Sequence, residues 1–136
     1  MCRFIISLGS NLCPSEAESN LSKAEIFLSG LFAADIIFSS HYSTPGVGSG
    51  EGKTYLNAVA LGHTSLSAEA IRTSLKDFEL RTGRTPEVRA LGIVPIDLDL
   101  LMLGDNVFKP KDLAQSYVLC GLDELENKII TAASST

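Results

Sequence analysis

Long hydrophobic runs are missing from this chain of 136 residues, and so are clusters of lysine or arginine. The apolar opening, Phe4-Ile5-Ile6-Ser7-Leu8, gives way at once to Gly9-Ser10-Asn11. It is too short for a membrane span and lacks a signal-peptide cleavage pattern. Cationic residues number 11 against 16 acidic ones, a formal net charge of −5. That balance argues against nucleic acid or an anionic membrane as the main partner. A nucleotide stays compatible, because one local group of cations can hold a triphosphate. Cysteine is scarce and scattered: Cys2, Cys13 and Cys120 form no C-x-x-C pair and no zinc spacing. Free thiols in a reducing cytoplasm are the expectation. His41 and His63 have no ligand-spaced partner, and no Ser-His-Asp or Cys-His arrangement is recognisable.

What is present describes a globular protein: hydrophobic residues make up 45% and charged residues 20%. With no internal repeat and no long linker, residues 1–136 read as a single domain. Arg3 to Leu8 reads as a buried strand ending in a Gly-Ser-Asn turn. Ser15 and Glu18 have the S-x-x-E spacing of a capping box, and Leu21, Ala24, Leu28 and Leu31 then recur at helical spacing. Ile36 to Tyr42 and Tyr55 to Leu61 read as a second and third strand, joined by a glycine-rich loop over Thr44 to Lys53. Ser67 opens a second helix with a core face of Ile71, Leu75 and Phe78, stopped by Gly83. Thr85 to Leu91 reads as irregular, Ile93 to Leu103 as a fourth strand, and Asp123 to Ile130 as a short last helix. The order β-α-β-β-α-β predicts an α+β, ferredoxin-like arrangement: a mostly antiparallel four-stranded sheet with both helices on one face and the other face left for a site.

The most informative stretch is Ile96-Asp97-Leu98-Asp99-Leu100-Leu101. On a strand, Asp97 and Asp99 project to the same face with Cα atoms roughly 7 Å apart, while Ile96, Leu98 and Leu100 point the other way. Two like charges that close repel, and a hard cation beside them removes the penalty, which suggests magnesium and a phosphate substrate. A solvent-facing strand with a leucine core behind it is the structural alternative. The loop ending Gly52-Lys53-Thr54 is not a phosphate loop. The pattern requires glycine where Val47 stands, and a strand rather than a helix follows. Arg81, Arg84 and Arg89 lie between the second helix and the aspartate strand, either as an ordinary charged turn or as cations meeting the same site. Tyr55 and Asn57 share one strand face, a platform suited to a flat heterocycle and also common on exposed sheets. Glu79 borders the packed face of the second helix, where an exposed flank is the simplest account.

These pieces together resemble a known family. Ser7-Leu8-Gly9-Ser10-Asn11-Leu12, Tyr42-Ser43-Thr44-Pro45-Gly46, Tyr55-Leu56-Asn57-Ala58-Val59, Glu79 with Gly83-Arg84, and Ile96 to Leu101 followed by Gly104 fall in the order and near the spacing of the 6-hydroxymethyl-7,8-dihydropterin pyrophosphokinases. The resemblance spans residues 3 to about 105. It implies a ferredoxin-like sheet and a folate-pathway enzyme that moves pyrophosphate from ATP to a pterin alcohol. Asp97 and Asp99 would then hold two magnesium ions. Tyr55 and Asn57 would line the pterin pocket, with backbone contacts from Thr44 and Pro45. Glu79 would lie on the nucleotide side, and Arg84 would be a mobile-loop arginine closing near the phosphates. Leu91, Val94 and Ser116 stand where the family usually carries tryptophan, arginine and histidine. Lys109 and Lys111 are the available stand-ins for the missing arginine. A pterin-binding module without turnover, or a ferredoxin-like interaction domain, are the alternatives these departures raise.

Overall fold

The computed structural model describes residues 1–45 and 54–134. The glycine-rich segment expected to act as a loop or lid therefore lies, from residue 46 to 53, outside the described residues. The element order is β1 (Cys2–Ser10), α1 (Pro14–Leu31), β2 (Ile36–Phe38), β3 (Tyr42–Pro45), β4 (Thr54–Thr64), α2 (Ala68–Arg81), α3 (Pro86–Ala90), β5 (Asp97–Leu103), β6 (Asn106–Val107), α4 (Pro110–Leu113) and α5 (Ser116–Ser134).

The sheet is antiparallel and has six strands rather than four. β1 is central, paired with β4 on one side and β5 on the other. β2 and β3 share the far edge of β4, and β6 extends β5. One extra strand, β3, arises because the expected second strand is divided; the other, β6, follows the Gly104 turn beyond the expected fourth strand. Ile36 to Tyr42 breaks at residues 39–41, where Ser39 takes over the ladder: its N–H donates to Val59 O at 2.9 Å and its Oγ accepts from Val59 N at 2.9 Å. The aspartate strand starts at Asp97, not Ile93. The residues before it are held by side chains instead. Asn11 brackets Gly92 O and Val94 N at 2.8 and 2.7 Å, and Asn20 donates to Pro95 O at 2.8 Å. Pro95, with no N–H to give to a ladder, stays outside the strand.

Local chemistry explains the helix boundaries. Pro14 takes the first helical position of α1, so Cys13 becomes its cap and the Ser15–Glu18 capping box does not form. Glu18 turns instead to His41 Nδ1 at 2.6 Å, while Glu25 meets His41 Nε2 at 3.0 Å. Ser67 caps α2 through Ala70 N as its spacing predicts, and Gly83 follows with φ 101°. The segment expected to be irregular contains the short helix α3, opened by a Thr85 cap and Pro86. The last helix begins at Ser116, well before Asp123.

Helices cover both faces of the sheet, which corrects the one-face expectation. Phe4, Ile6 and Leu8 of β1, Ala58 and Ala60 of β4, and Leu98 and Leu100 of β5 pack against Leu21, Ala24 and Leu28 of α1 and Ile71 and Leu75 of α2. On the opposite face, Ile5, Val59, Leu61 and Leu101 lie under Val118 and Leu125 of α5. A register shift in the β1–β5 pairing between Ile5 and Ile6 lets the adjacent Leu101 and Met102 both serve the α5 side and returns Leu103 to the core with Leu98 and Leu100. Gly121 permits the close approach of α5, since a Cβ there would sit 2.8 Å from Val59 Cγ2.

Glu124 ties α5 to the break between β2 and β3. Its carboxylate accepts from Tyr42 Oη, from Ser40 N at 2.9 and 3.1 Å, from Ser40 Oγ at 3.1 Å, and faces Lys128 Nζ at 3.1 Å. Against the cost of burial, these bonds hold its carboxyl down at about 2. A depressed carboxyl stabilises the fold above the pH at which it titrates when unfolded. That contribution is lost as pH falls from about 4.5 toward 2. Glu124→Gln is expected to cost about 2 kcal/mol at pH 7 and to flatten the acid limb of the stability curve, measured by urea unfolding between pH 2 and 7. An unchanged acid limb would show that α5 is docked by its apolar face alone.

Candidate active site

The face carrying α5 is apolar at one end and polar at the other, and the period of two in the strands is the cause. On β1, Ile5 points under α5 while Ser7 and Gly9 continue the same face beyond it. On β4 the same face runs from Leu61 through Val59 to Asn57 and Tyr55. On β5 it runs from Leu101 to Asp99 and Asp97. Cross-strand pairing sets Asn57, Gly9 and Asp97 in one row and Val59, Ser7 and Asp99 in the next. The polar end forms the floor of a cavity of about 410 Å³. Thr44 and Pro45 of β3 wall one side, while Asp112, Gln115, Ser116 and Tyr117 of α4 and the start of α5 wall the other.

Gly9 keeps this floor open. A Cβ there would lie 3.1 Å from Asn57 Oδ1 and 3.9 Å from the Tyr55 ring. Asn57 is buried and donates through Nδ2 to Thr44 Oγ1, which orients the amide across the β3–β4 pair. The rest of the opening motif is structural. Ser10 and Asn11 anchor residues 92–94 through bonds to Gly92 and Val94, so Val94 sits on a fixed backbone.

The two aspartates project together as strand geometry predicts, and each meets a cation. Asp97 Oδ1 lies 2.7 Å from Arg84 Nη1, and Asp99 Oδ1 lies 3.2 Å from Lys109 Nζ. Burial, and then the neighbouring Asp97 carboxylate, push the Asp99 carboxyl up to about 6 against the pull of Lys109. Arg84 Nη1 also reaches Glu79 Oε2 at 3.0 Å, and Arg84 Nε is buried without a hydrogen-bond partner among the described residues. Glu79 is not an exposed flank residue: it is 6% exposed and accepts from Leu98 N at 2.7 Å. The correction has a physical origin. β5 pairs with β6 only at Met102 and Leu103, so the N–H of Leu98 needs a partner from the helix packed beside it. Burial raises the Glu79 carboxyl, while the Leu98 N–H and Arg84 oppose that shift. Neither Glu79 nor Arg84 lines the cavity; Arg84 braces Asp97 and Glu79 braces the strand beneath it.

Thr44, Pro45, Tyr55, Asn57, Asp97 and Asp99 therefore share one cavity, although they come from three strands. Arg81, in contrast, pairs with Asp77 on its own helix and stays well exposed. Ser7 and Gly9 also belong to the floor, and their alternation with core-facing Leu8 is the sequence signal for them. Asp112 and Gln115 carry no such signal, because α4 and the α5 start reach the cavity only through the tertiary fold. Tyr117 is pushed up to about 12 mainly by burial, with a hydrogen bond to Ser7 acting in the other direction.

Residues 5–127 match the family model of the 7,8-dihydro-6-hydroxymethylpterin-pyrophosphokinases, nearly the whole chain. The chain belongs to this family. Membership places it, at the family level, with the folate-pathway enzymes that use ATP, magnesium and a pterin. Among solved structures, the C-terminal domain of the MgtC protein from Mycobacterium tuberculosis superposes with a TM-score of 0.42 and 10% identity, over 74% of this chain and 87% of that one. No described helix is long and apolar enough to cross a membrane.

Proposed function

We propose that this chain, as a single domain over residues 1–136, transfers pyrophosphate from ATP to 6-hydroxymethyl-7,8-dihydropterin in the cytoplasm. The observation that carries this reading is the convergence of Tyr55, Asn57, Thr44 and Pro45 with the Asp97–Asp99 pair around one cavity, in a chain of the pterin pyrophosphokinase family. The antiparallel β4-β1-β5 core with α1 and α2 on one face supports the ferredoxin-like reading of its centre.

The pterin is flat and carries donors and acceptors on its edges. The Tyr55 ring offers it a stacking surface, and Asn57, held by Thr44, offers a hydrogen bond of fixed direction. The backbone of Thr44 and Pro45 completes the edge. The hydroxymethyl oxygen then attacks the β-phosphorus of ATP, forming the new P–O bond as the bond to AMP breaks, and its proton goes to solvent.

The donor set fits magnesium: two oxygen-only ligands on one strand face, one of them so desolvated beside the other that its carboxyl is raised to about 6. Asp97 and Asp99 would hold two magnesium ions. The metal, when bound, neutralises the triphosphate and orients it for in-line transfer. Arg84 keeps Asp97 in its rotamer, and Glu79 fixes the strand beneath both carboxylates. Glu79 and Arg84 would lie toward the nucleotide. Tyr117 and Gln115 wall the cavity on the α5 side and limit water entry.

The test mixes protein, 6-hydroxymethyl-7,8-dihydropterin and Mg-ATP, and follows AMP and the pyrophosphorylated pterin. One AMP per pterin consumed is expected; no AMP would sink the enzyme reading. Val94, in the place of an arginine, favours a second reading: a pterin-binding module without turnover. Calorimetry separates the cases. The enzyme binds pterin and the analogue α,β-methylene ATP, the module binds pterin alone, and an interaction domain binds neither.

A further inference from the structure

Asp99 belongs to two hollows at once. Besides the cavity already described, it lines a smaller recess of about 180 Å³ with Arg72, Lys76, Lys109, Leu98 and Leu100. That recess opens along the edge of β5 where no strand is paired among the described residues, and three cationic side chains surround it. Two of them are built in rather than merely nearby. The Arg72 guanidinium lies 4.1 Å above the Phe108 ring. The backbone of Phe108 and Lys109 is tied to β5 by bonds to Leu101 O at 2.9 and 3.4 Å. Lys109 thus has a fixed base, but its side chain is 47% exposed and free to re-aim its ammonium group.

In the metal-free site each aspartate is met by a cation: Asp97 by Arg84, which it shares with Glu79, and Asp99 by Lys109. A divalent cation arriving alone would have to displace Lys109 and would then meet a site flanked by Arg72, Lys76, Lys109 and Arg84. A triphosphate arriving alone would meet two carboxylates. Each ligand removes the obstacle to the other.

We propose that Lys109 is a positioning cation that stands in for the metal at Asp99 and moves to a phosphate oxygen of the nucleotide when the metal takes its place. Metal and nucleotide then bind as one unit, and Lys109 supplies a cation that position 94 lacks. The inference rests on the pyrophosphokinase reading and adds to it a coupling device built on Lys109.

The test measures Mn2+ affinity by calorimetry or by the spin signal of free Mn2+, with and without saturating α,β-methylene ATP. In the native chain the nucleotide should tighten Mn2+ binding at least about tenfold, a coupling that is reciprocal by linkage. In Lys109→Met, Mn2+ alone should bind several-fold tighter, because its competitor is gone. The nucleotide with Mg2+ should bind several-fold more weakly, and the coupling should shrink. Lys109→Arg should restore nucleotide affinity. Shifts of the same sign in both affinities, or no shift, overturn the inference. If the native chain itself binds neither Mn2+ nor nucleotide, the pyrophosphokinase reading falls with it. If the native chain binds both and Lys109→Met is unchanged, only the lysine assignment falls.

Discussion

Asp97→Ala is expected to abolish magnesium-dependent nucleotide binding and to lower AMP formation by about a thousandfold or more, because the charge that offsets the triphosphate can no longer be held there. Asp99→Asn should do nearly as much damage to binding, yet it should make the metal-free protein more stable. Its carboxyl is raised from 3.8 to about 6, so the folded chain holds that proton more tightly than the unfolded chain does. The associated stability is fully present below about pH 4 and lost as pH rises through 6. At pH 7 an asparagine avoids the loss, with a gain of about 2 kcal/mol or less. Below pH 4 the gain should vanish. Denaturant unfolding of both proteins at pH 4 and 7, without metal, measures it directly. A site kept at a cost to stability is what a functional carboxylate pair looks like; an Asp99→Asn chain that is less stable at pH 7 would mark the pair as structural.

The second large effect lies away from the site, at Gly62. A Cβ there would stand 2.2 Å from Asp35 O and 2.7 and 2.9 Å from the Phe4 ring. Neither neighbour can move cheaply. Asp35 O accepts the N–H of His63, and Phe4 is fully buried with its ring stacked 4.1 Å from that of Phe32. Gly62→Ala should therefore destabilise by about 3 kcal/mol and lower the unfolding midpoint by roughly 10 °C. The same substitution at Gly30, near the end of α1 with nothing within 4 Å of the added carbon, should be neutral or stabilising by about 0.5–1 kcal/mol. Thermal unfolding of the pair gives the contrast, and equal shifts would show that packing at Gly62 is looser than its geometry implies.

Periodicity in single segments makes much of this protein legible in its sequence. Alternation placed Asp97 and Asp99 together with Leu98 and Leu100 behind them, and helical spacing named Leu21, Ala24, Leu28, Ile71 and Leu75 as core. These are local facts: a strand turns every second side chain the same way, and a helix turns every third or fourth. The family motifs added Thr44, Pro45, Tyr55 and Asn57 to the same neighbourhood. Glu79 shares the helical stripe of Ile71 and Leu75, yet burying a carboxylate there depends on the N–H of Leu98, 19 residues away, which no spacing within the helix shows.

The tertiary structure alone decided three further matters. It put α5 over half of the sheet face expected to be open, so the site is a walled cavity and not a bare platform. It divided the expected β2, where Ser39 bonds replace a ladder and Glu124 clamps the break from a helix 84 residues on. It set Lys109 against Asp99, a pairing no spacing rule predicts. The sequence determined which faces are polar and which side chains travel together, since both follow from the repeat of a single element. Which elements close over those faces, and which charges meet across them, depend on long-range packing, whose energies belong to contacts and not to any segment.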